Sequence, residues 1–317
     1  MRINQLRGIK MISQKYLFPI SICWDITGKC NEECKFCYRV RSNSDLSVED
    51  NFKILQKLID GGVKKISIVG GEPLLYDGFI DIIEVAKKAG VITSLTTNGK
   101  LLDKKKLDIL SNILNWLSLP LDSCDTRIQC LMTRSKGHFE NVIRILEDIK
   151  ENEYLFNVKL NSVATKINKD TLPNIADLIN RYNIKRWKIF QYFPIRGEAD
   201  KNKNLFSISK TDFDRLKDMI NNKRSLIPDC MVSFSDITQL QETYLSISPD
   251  GSARVSFKNN DVILGNLLEN HLYDLWNTSF INKNMHFERN KWIFERPPSA
   301  FYLEKDRPKE AYPTSNP

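Results

Sequence analysis

No stretch of this 317-residue chain is apolar for the roughly 18–20 residues a membrane-crossing helix needs. The first 16 residues carry basic side chains, but they have neither the uninterrupted apolar core nor the cleavage site of a secretory signal. A cytoplasmic location without a membrane partner is therefore expected. Histidine is scarce, with only His138, His271 and His286, and neither a Ser/His/Asp set nor a pair of carboxylates stands out. Neither a nucleophilic triad nor a general acid–base pair is read from the residues. There is no internal repeat, and no regular interleaving of aromatic and basic residues as in a single-strand binder, so direct nucleic-acid binding is not expected. No cysteine follows Cys230. The total of seven is odd, with three clustered, which fits a reducing compartment rather than a disulfide framework.

What is present is ordinary in bulk. Hydrophobic residues at 41% and charged residues at 27% suit a globular enzyme of one large domain, or one domain with an extension. The formal net charge of +8 admits an anionic substrate without requiring one.

The informative stretch is Cys30-Asn31-Glu32-Glu33-Cys34-Lys35-Phe36-Cys37-Tyr38, a C-x3-C-x2-C run. Three thiolates this close in sequence can converge on one soft metal centre. A zinc knuckle or three unrelated core cysteines are the competing readings. Structural zinc wants four ligands, and no second half-site follows. A four-iron cluster held by only three cysteines keeps one iron open.

Around this run, apolar β-branched segments alternate with helical ones. Strands are predicted at 17–27, 65–69, 91–96, 116–121, 156–165 and 186–193. Helices are predicted at 47–60, 78–88, 103–114, 139–149 and 170–182. The repeat of about 30 residues predicts an α/β fold with parallel strands curled into a partial (βα)6 barrel. Its chemistry is expected at the C-terminal strand ends. Farther on, 202–207 reads as a loop and Thr211 as the cap of a helix to Ile220. Short strands follow at 231–235, 243–248 and 254–257, then a helix at 272–276. The polar stretch 39–45 reads as a mobile loop, and the Pro-rich end from 297 as disordered or draped over the surface.

Gly70-Gly71-Glu72-Pro73 closes the second strand, where glycines would let a ligand approach the backbone. Together with the cysteine run, this GGEP segment resembles the radical SAM superfamily. A further series narrows the likeness: Lys65, Asp122-Ser123, Arg134, Lys159-Leu160-Asn161-Ser162-Val163, Arg186-Trp187-Lys188-Ile189-Phe190-Gln191, Gly197-Glu198 and Tyr244. In that order it resembles the viperin-like family of antiviral nucleotide dehydratases, over roughly residues 17 to 250.

The resemblance implies that Cys30, Cys34 and Cys37 hold a [4Fe-4S] cluster, and that its open iron chelates S-adenosylmethionine (SAM). It implies SAM contacts at Gly70, Gly71, Glu72, Pro73, Asn98, Ser123 and Arg134. It also implies cleavage of SAM to a 5′-deoxyadenosyl radical that abstracts the 4′-hydrogen of a nucleoside triphosphate, CTP or another. Loss of water would leave a 3′-deoxy-3′,4′-didehydro chain terminator. Lys65, Lys159, Asn161, Arg186 and Lys188 would hold the substrate, and Tyr244 would return a proton or hydrogen. A reductant such as flavodoxin or ferredoxin would supply electrons. Period-2 spacing independently puts Arg186 with Lys188, and Lys159 with Asn161, on one strand face. Paired inward cations are costly unless an anion meets them.

The chain departs from the family at Cys23, where Asn is usual, at Pro120 in place of Ser, and at Ser235 and Ile237 in place of Glu and Asn. Pro249-Asp250-Gly251 with Leu272-Tyr273-Asp274-Leu275-Trp276 is similar to the tail of radical SAM maturases of peptides, which is the alternative function. Four segments are expected: an N-terminal extension at 1–16, the partial barrel at 17–200, a substrate-covering extension at 201–296, and the tail at 297–317.

Overall fold

The computed structural model describes residues 17–39 and 44–295. The expectations for 1–16, for 40–43 of the polar loop and for the tail lie outside the described residues.

Ten strands form one sheet: β1 Ser21–Asp25, β2 Lys65–Val69, β3 Ile92–Thr96, β4 Trp116–Pro120, β5 Asn157–Ala164, β6 Arg186–Gln191, β7 Met231–Ser235, β8 Ser246–Ile247, β9 Ser252–Phe257 and β10 Asn260–Asn266. Their order is β10-β9-β8-β1-β2-β3-β4-β5-β6-β7. Strands β1 to β7 are parallel in chain order, and β8 joins the free side of β1, also parallel. The β9–β10 hairpin is antiparallel and leaves the sheet open. The parallel α/β class stands as expected, and β7 carries the series one strand beyond six.

The helices between strands follow from local signals. In α1, Val48–Asp60, the Ser47 side chain accepts from Asp50 N, and Ile54, Leu55 and Leu58 turn to the sheet. Asp103 caps α2, Lys104–Ile113, in the same way. Helix α3, His138–Asn152, buries Val142, Ile145 and Leu146. Two expectations need correction. The segment read as a loop at 202–207 contains a helical turn at Lys203–Phe206, because Phe206 is driven fully into the core. The next helix, α4, begins at Lys210 rather than after a Thr211 cap, since the extended residue Ser209 accepts from Asp212 N.

Strand alternation sorts the two faces of the sheet. On β5, Val158, Leu160, Ser162 and Ala164 are buried while Lys159, Asn161 and Val163 face the concave side. On β2, Ile66 and Ile68 go to the core, whereas Lys65, Ser67 and Val69 face inward.

The last two described elements were not foreseen. Helix α5, Lys283–Asn290, and the turn Trp292–Glu295 cover the N-terminal strand ends. There Ile20, Ile92, Trp116, Trp292 and Ile293 form a second apolar cluster, with Met231 and Phe287 against it. Three of these residues open their strands. His286, which offered nothing in the sequence, fastens α5 in place. Its Nε2 accepts from Ile20 N at 3.1 Å, and its Nδ1 pairs with the Thr243 carbonyl at 2.8 Å. Burial keeps it neutral, with its pKa pushed down to about 4.

Candidate active site

A cavity of about 340 Å³ occupies the concave side of the sheet. Cys30, Cys34, Cys37, Gly70, Gly71, Asn98 and Arg134 line its upper part, beyond the C-terminal strand ends. Lys65, Lys159, Asn161, Arg186, Lys188 and Tyr244 line it deeper in. Glu72, Pro73 and Ser123 do not line it.

The GGEP segment shapes the cysteine loop from behind. A Cβ on Gly71 would stand 2.0 Å from the Lys29 carbonyl oxygen, and one on Gly70 would stand 2.6 Å from that of Thr27. Gly71 N donates to Thr27 O, and Glu72 N to Lys29 O, each at 2.8 Å. The Cβ side of each glycine is therefore filled by backbone, while both glycines also line the cavity. Glu72 is fully buried and spent on local bonds, accepting from Leu74 N, Thr97 Oγ1 and Asn98 N. Pro73 starts the buried turn that follows. Ser123, also fully buried, accepts from Asp125 N at 3.1 Å and pairs with Thr171. In this structure the side chains of Glu72 and Ser123 hold loops rather than face the cavity.

The cysteine loop is tied down at several points. Lys100 pairs with buried Glu32 at 2.9 Å, Ser135 donates to Glu32 at 2.6 Å, and Asn98 donates to Asn31 at 2.7 Å. Arg134 places Nε and Nη2 on Asp122 at 2.9 and 2.8 Å, lies over Phe36, and donates from Nη1 to Cys34 Sγ at 3.4 Å. Burial opposes its charge, but Asp122 and Cys34 outweigh burial and hold it firmly protonated.

Burial pushes the Cys34 and Cys37 thiols up, and Cys37 also feels the charges of Cys34 and Cys30. Among the described residues no three His, Cys, Asp or Glu side chains are grouped to hold a single metal ion. Cys30, Cys34 and Cys37 line one space, and three thiolates there suit a cluster in which each binds its own iron. Zinc would need four ligands at one centre. The donor set fits the cluster.

The cations sit deeper than expected. Lys65 and Arg186 are the first residues of β2 and β6, at the N-terminal strand ends and not at the C-terminal ones. Lys159 and Arg186 are register partners, as are Asn161 and Lys188. Arg186 and Lys188 are only 8% and 7% exposed. Among the described residues, Lys65, Lys159, Lys188 and Arg289 form no ion pair with a carboxylate. Burial, reinforced by Arg186, pushes Lys65 down to about 7. Burial and neighbouring cations drive Lys159 and Lys188 well below the usual lysine range.

Sequence reasoning missed Arg289. It comes from α5, stands 3.4 Å over the Tyr244 ring and donates to the Tyr244 hydroxyl and to Ser235 and Thr243. The stretch Asn282–Asn290 does carry a signal, since Asn282 caps the helix and buried His286 and Asn290 lie one turn apart. Cys23 lines the same cavity and accepts from Arg39 at 3.4 Å, while Arg39 is paired with Asp25. Asp261 on β10 joins Arg196 and Arg254, which also line the cavity.

A parallel sheet with a three-cysteine loop at its C-terminal edge and a deep internal cavity defines a radical SAM protein. The chain belongs to the Radical SAM superfamily, whose description matches residues 24–179, and the cluster and SAM are its cofactors. Within that superfamily the chain is similar to S-adenosylmethionine-dependent nucleotide dehydratases. The one from Flammeovirga pacifica is 28% identical over 76% of this chain and 84% of its own length. The one from Lacinutrix mariniflava is 26% identical over 73% of this chain and 49% of its own length. Among solved structures, Streptococcus suis SuiB bound to S-adenosylmethionine superposes with a TM-score of 0.65 at 18% identity, over 89% of this chain and 72% of SuiB. That likeness concerns the fold alone. No helix among the described residues is long and apolar enough to cross a membrane.

Proposed function

We propose that this protein dehydrates a nucleoside triphosphate to its 3′-deoxy-3′,4′-didehydro form, a chain-terminating nucleotide suited to antiviral defence. When bound, the cluster and SAM supply radical chemistry able to remove hydrogen from an unactivated carbon, with electrons from a donor such as flavodoxin or ferredoxin. The protein's part is to bind, orient and exclude water.

The observation that carries the reading is the group of cations below the cysteine loop. Lys65, Lys159, Arg186, Lys188 and Arg289 reach one enclosed space, and a triphosphate has the charge to offset their desolvation. A cavity of about 340 Å³ is at the small end of the roughly 300–1,000 Å³ usual for ligand sites. With the polyphosphate held by the deep cations, the sugar would lie toward the cysteines, beside Asn161 and Tyr244. The Tyr244 hydroxyl accepts from Lys188 and Arg289 and bonds Ser235, and its proton is the one assigned to the sugar.

The test is a product mass. Anaerobically reconstituted protein with SAM, a reductant and a mixture of nucleoside triphosphates should yield one triphosphate lighter by one water, with matching 5′-deoxyadenosine. Absence of nucleotide-stimulated 5′-deoxyadenosine would reject the reading.

A further inference from the structure

Lys65 and Arg186 open strands β2 and β6, which are separated in the sheet by β3, β4 and β5. One ring spans that gap: the Trp292 indole has Lys65 Nζ 4.9 Å and Arg186 Cζ 4.9 Å from its centroid. Behind it, Trp116 packs edge-on at 6.1 Å, within the apolar cluster that includes Ile20, Ile92 and Ile293. The ring is only 9% exposed and comes from the segment anchored by His286 and by the Ser21–Asn290 bond.

Two like charges at the floor of a cavity repel and, being long side chains, would scatter. An aromatic face can attract both heads without tying either to a carboxylate, so both stay in place for an incoming anion. Ordering them beforehand lowers the entropy cost of binding.

We propose that Trp292 is a positioning residue for polyphosphate, its indole holding Lys65 and Arg186 together at the cavity floor where an anion meets both. The inference rests on the nucleotide reading above and adds a residue argued to act through the two cations it holds.

The experiment compares reconstituted wild-type protein with Trp292→Phe and Trp292→Leu, using inorganic tripolyphosphate as the probe in calorimetric titrations. Leucine fills the apolar cluster without a π face, whereas phenylalanine keeps one. Trp292→Phe should bind within about threefold of wild type, and Trp292→Leu about tenfold more weakly at a similar melting temperature. Equal affinities for the two variants would overturn the proposal.

If Trp292→Leu fails to fold, tryptophan emission decides. Tripolyphosphate should change the wild-type spectrum and leave that of Trp292→Phe unchanged, and the same response in both would overturn the proposal. Wild-type protein that binds neither tripolyphosphate nor any nucleoside triphosphate would bring down the nucleotide reading itself. Binding with equal phenylalanine and leucine values brings down only the role of Trp292.

Discussion

The hydroxyl oxygen of Tyr244 stands 2.7 Å from the side-chain nitrogen of Lys188 and accepts a second bond from Arg289. Burial holds the phenol above its ordinary pKa, so at neutral pH it keeps its proton. Tyr244→Phe preserves the ring beneath Arg289 and removes the hydroxyl, which is both the proton source and the acceptor for Lys188 and Arg289. Nucleotide affinity should change by less than about tenfold, the scale of one neutral hydrogen bond. The yield of dehydrated nucleotide per 5′-deoxyadenosine should fall by about a hundredfold, as expected for loss of a proton donor. Mass spectrometry of both products checks this, and an unchanged ratio would remove Tyr244 from the chemistry.

The depressed lysines make nucleotide binding depend on pH. In the free protein Lys65 titrates near 7, and Lys159 and Lys188 well below the lysine range. A bound polyphosphate favours their charged forms and raises those values, so binding takes up protons above the free pKa. Affinity should therefore weaken as pH rises above about 7 and level off toward lower pH. Titration calorimetry at pH 8 in buffers of different ionisation enthalpy should report net proton uptake. Uptake of zero would mean that these lysines are already charged in the empty cavity.

Gly71→Ala tests how the GGEP segment acts. Its Cβ would stand 2.0 Å from the Lys29 carbonyl oxygen, a backbone atom that cannot rotate away. The loop carrying Cys30 must then shift. The expected outcome is a folded protein that incorporates less iron and sulfide on reconstitution, seen as lost charge-transfer absorption and a lower iron assay. Full cluster loading in the variant would show that the loop tolerates the displacement.

Much of this arrangement was legible because local rules dominate it. Ser47 before VEDNF caps α1 as its side chain allows, and KISIV alternates so that Lys65, Ser67 and Val69 share a face. Period-2 spacing gives the face of a cation but not its depth, so Lys65 and Arg186 were expected at the wrong end of their strands. The glycine pair reads in sequence as room for a ligand, and the close approach of Lys29 to Gly71 is a second use that only the folded chain shows. Helix α5 stayed hidden because its support is remote: His286 bonds to Ile20, 266 residues away. Strand β10 was missed because a bulge between Ile263 and Gly265 breaks its alternation.

The cation group also sets stability against function, and Lys159 is the clearest place to measure the conflict. Burial penalises the charge of its side-chain nitrogen most, and the neighbouring Arg186 and Lys65 add to that. Methionine has a similar length, fills the same space and carries no charge to desolvate. Lys159→Met should therefore leave the fold intact and raise its melting temperature by about 2 °C or more. The same change removes one of five charges facing the polyphosphate and should weaken nucleoside triphosphate binding by about tenfold or more. Thermal melts and binding titrations on one preparation give both numbers. Opposite signs are the mark of a residue retained for its ligand at the expense of the fold. A Lys159→Met protein that melts lower and binds as well as wild type would place that lysine outside the site.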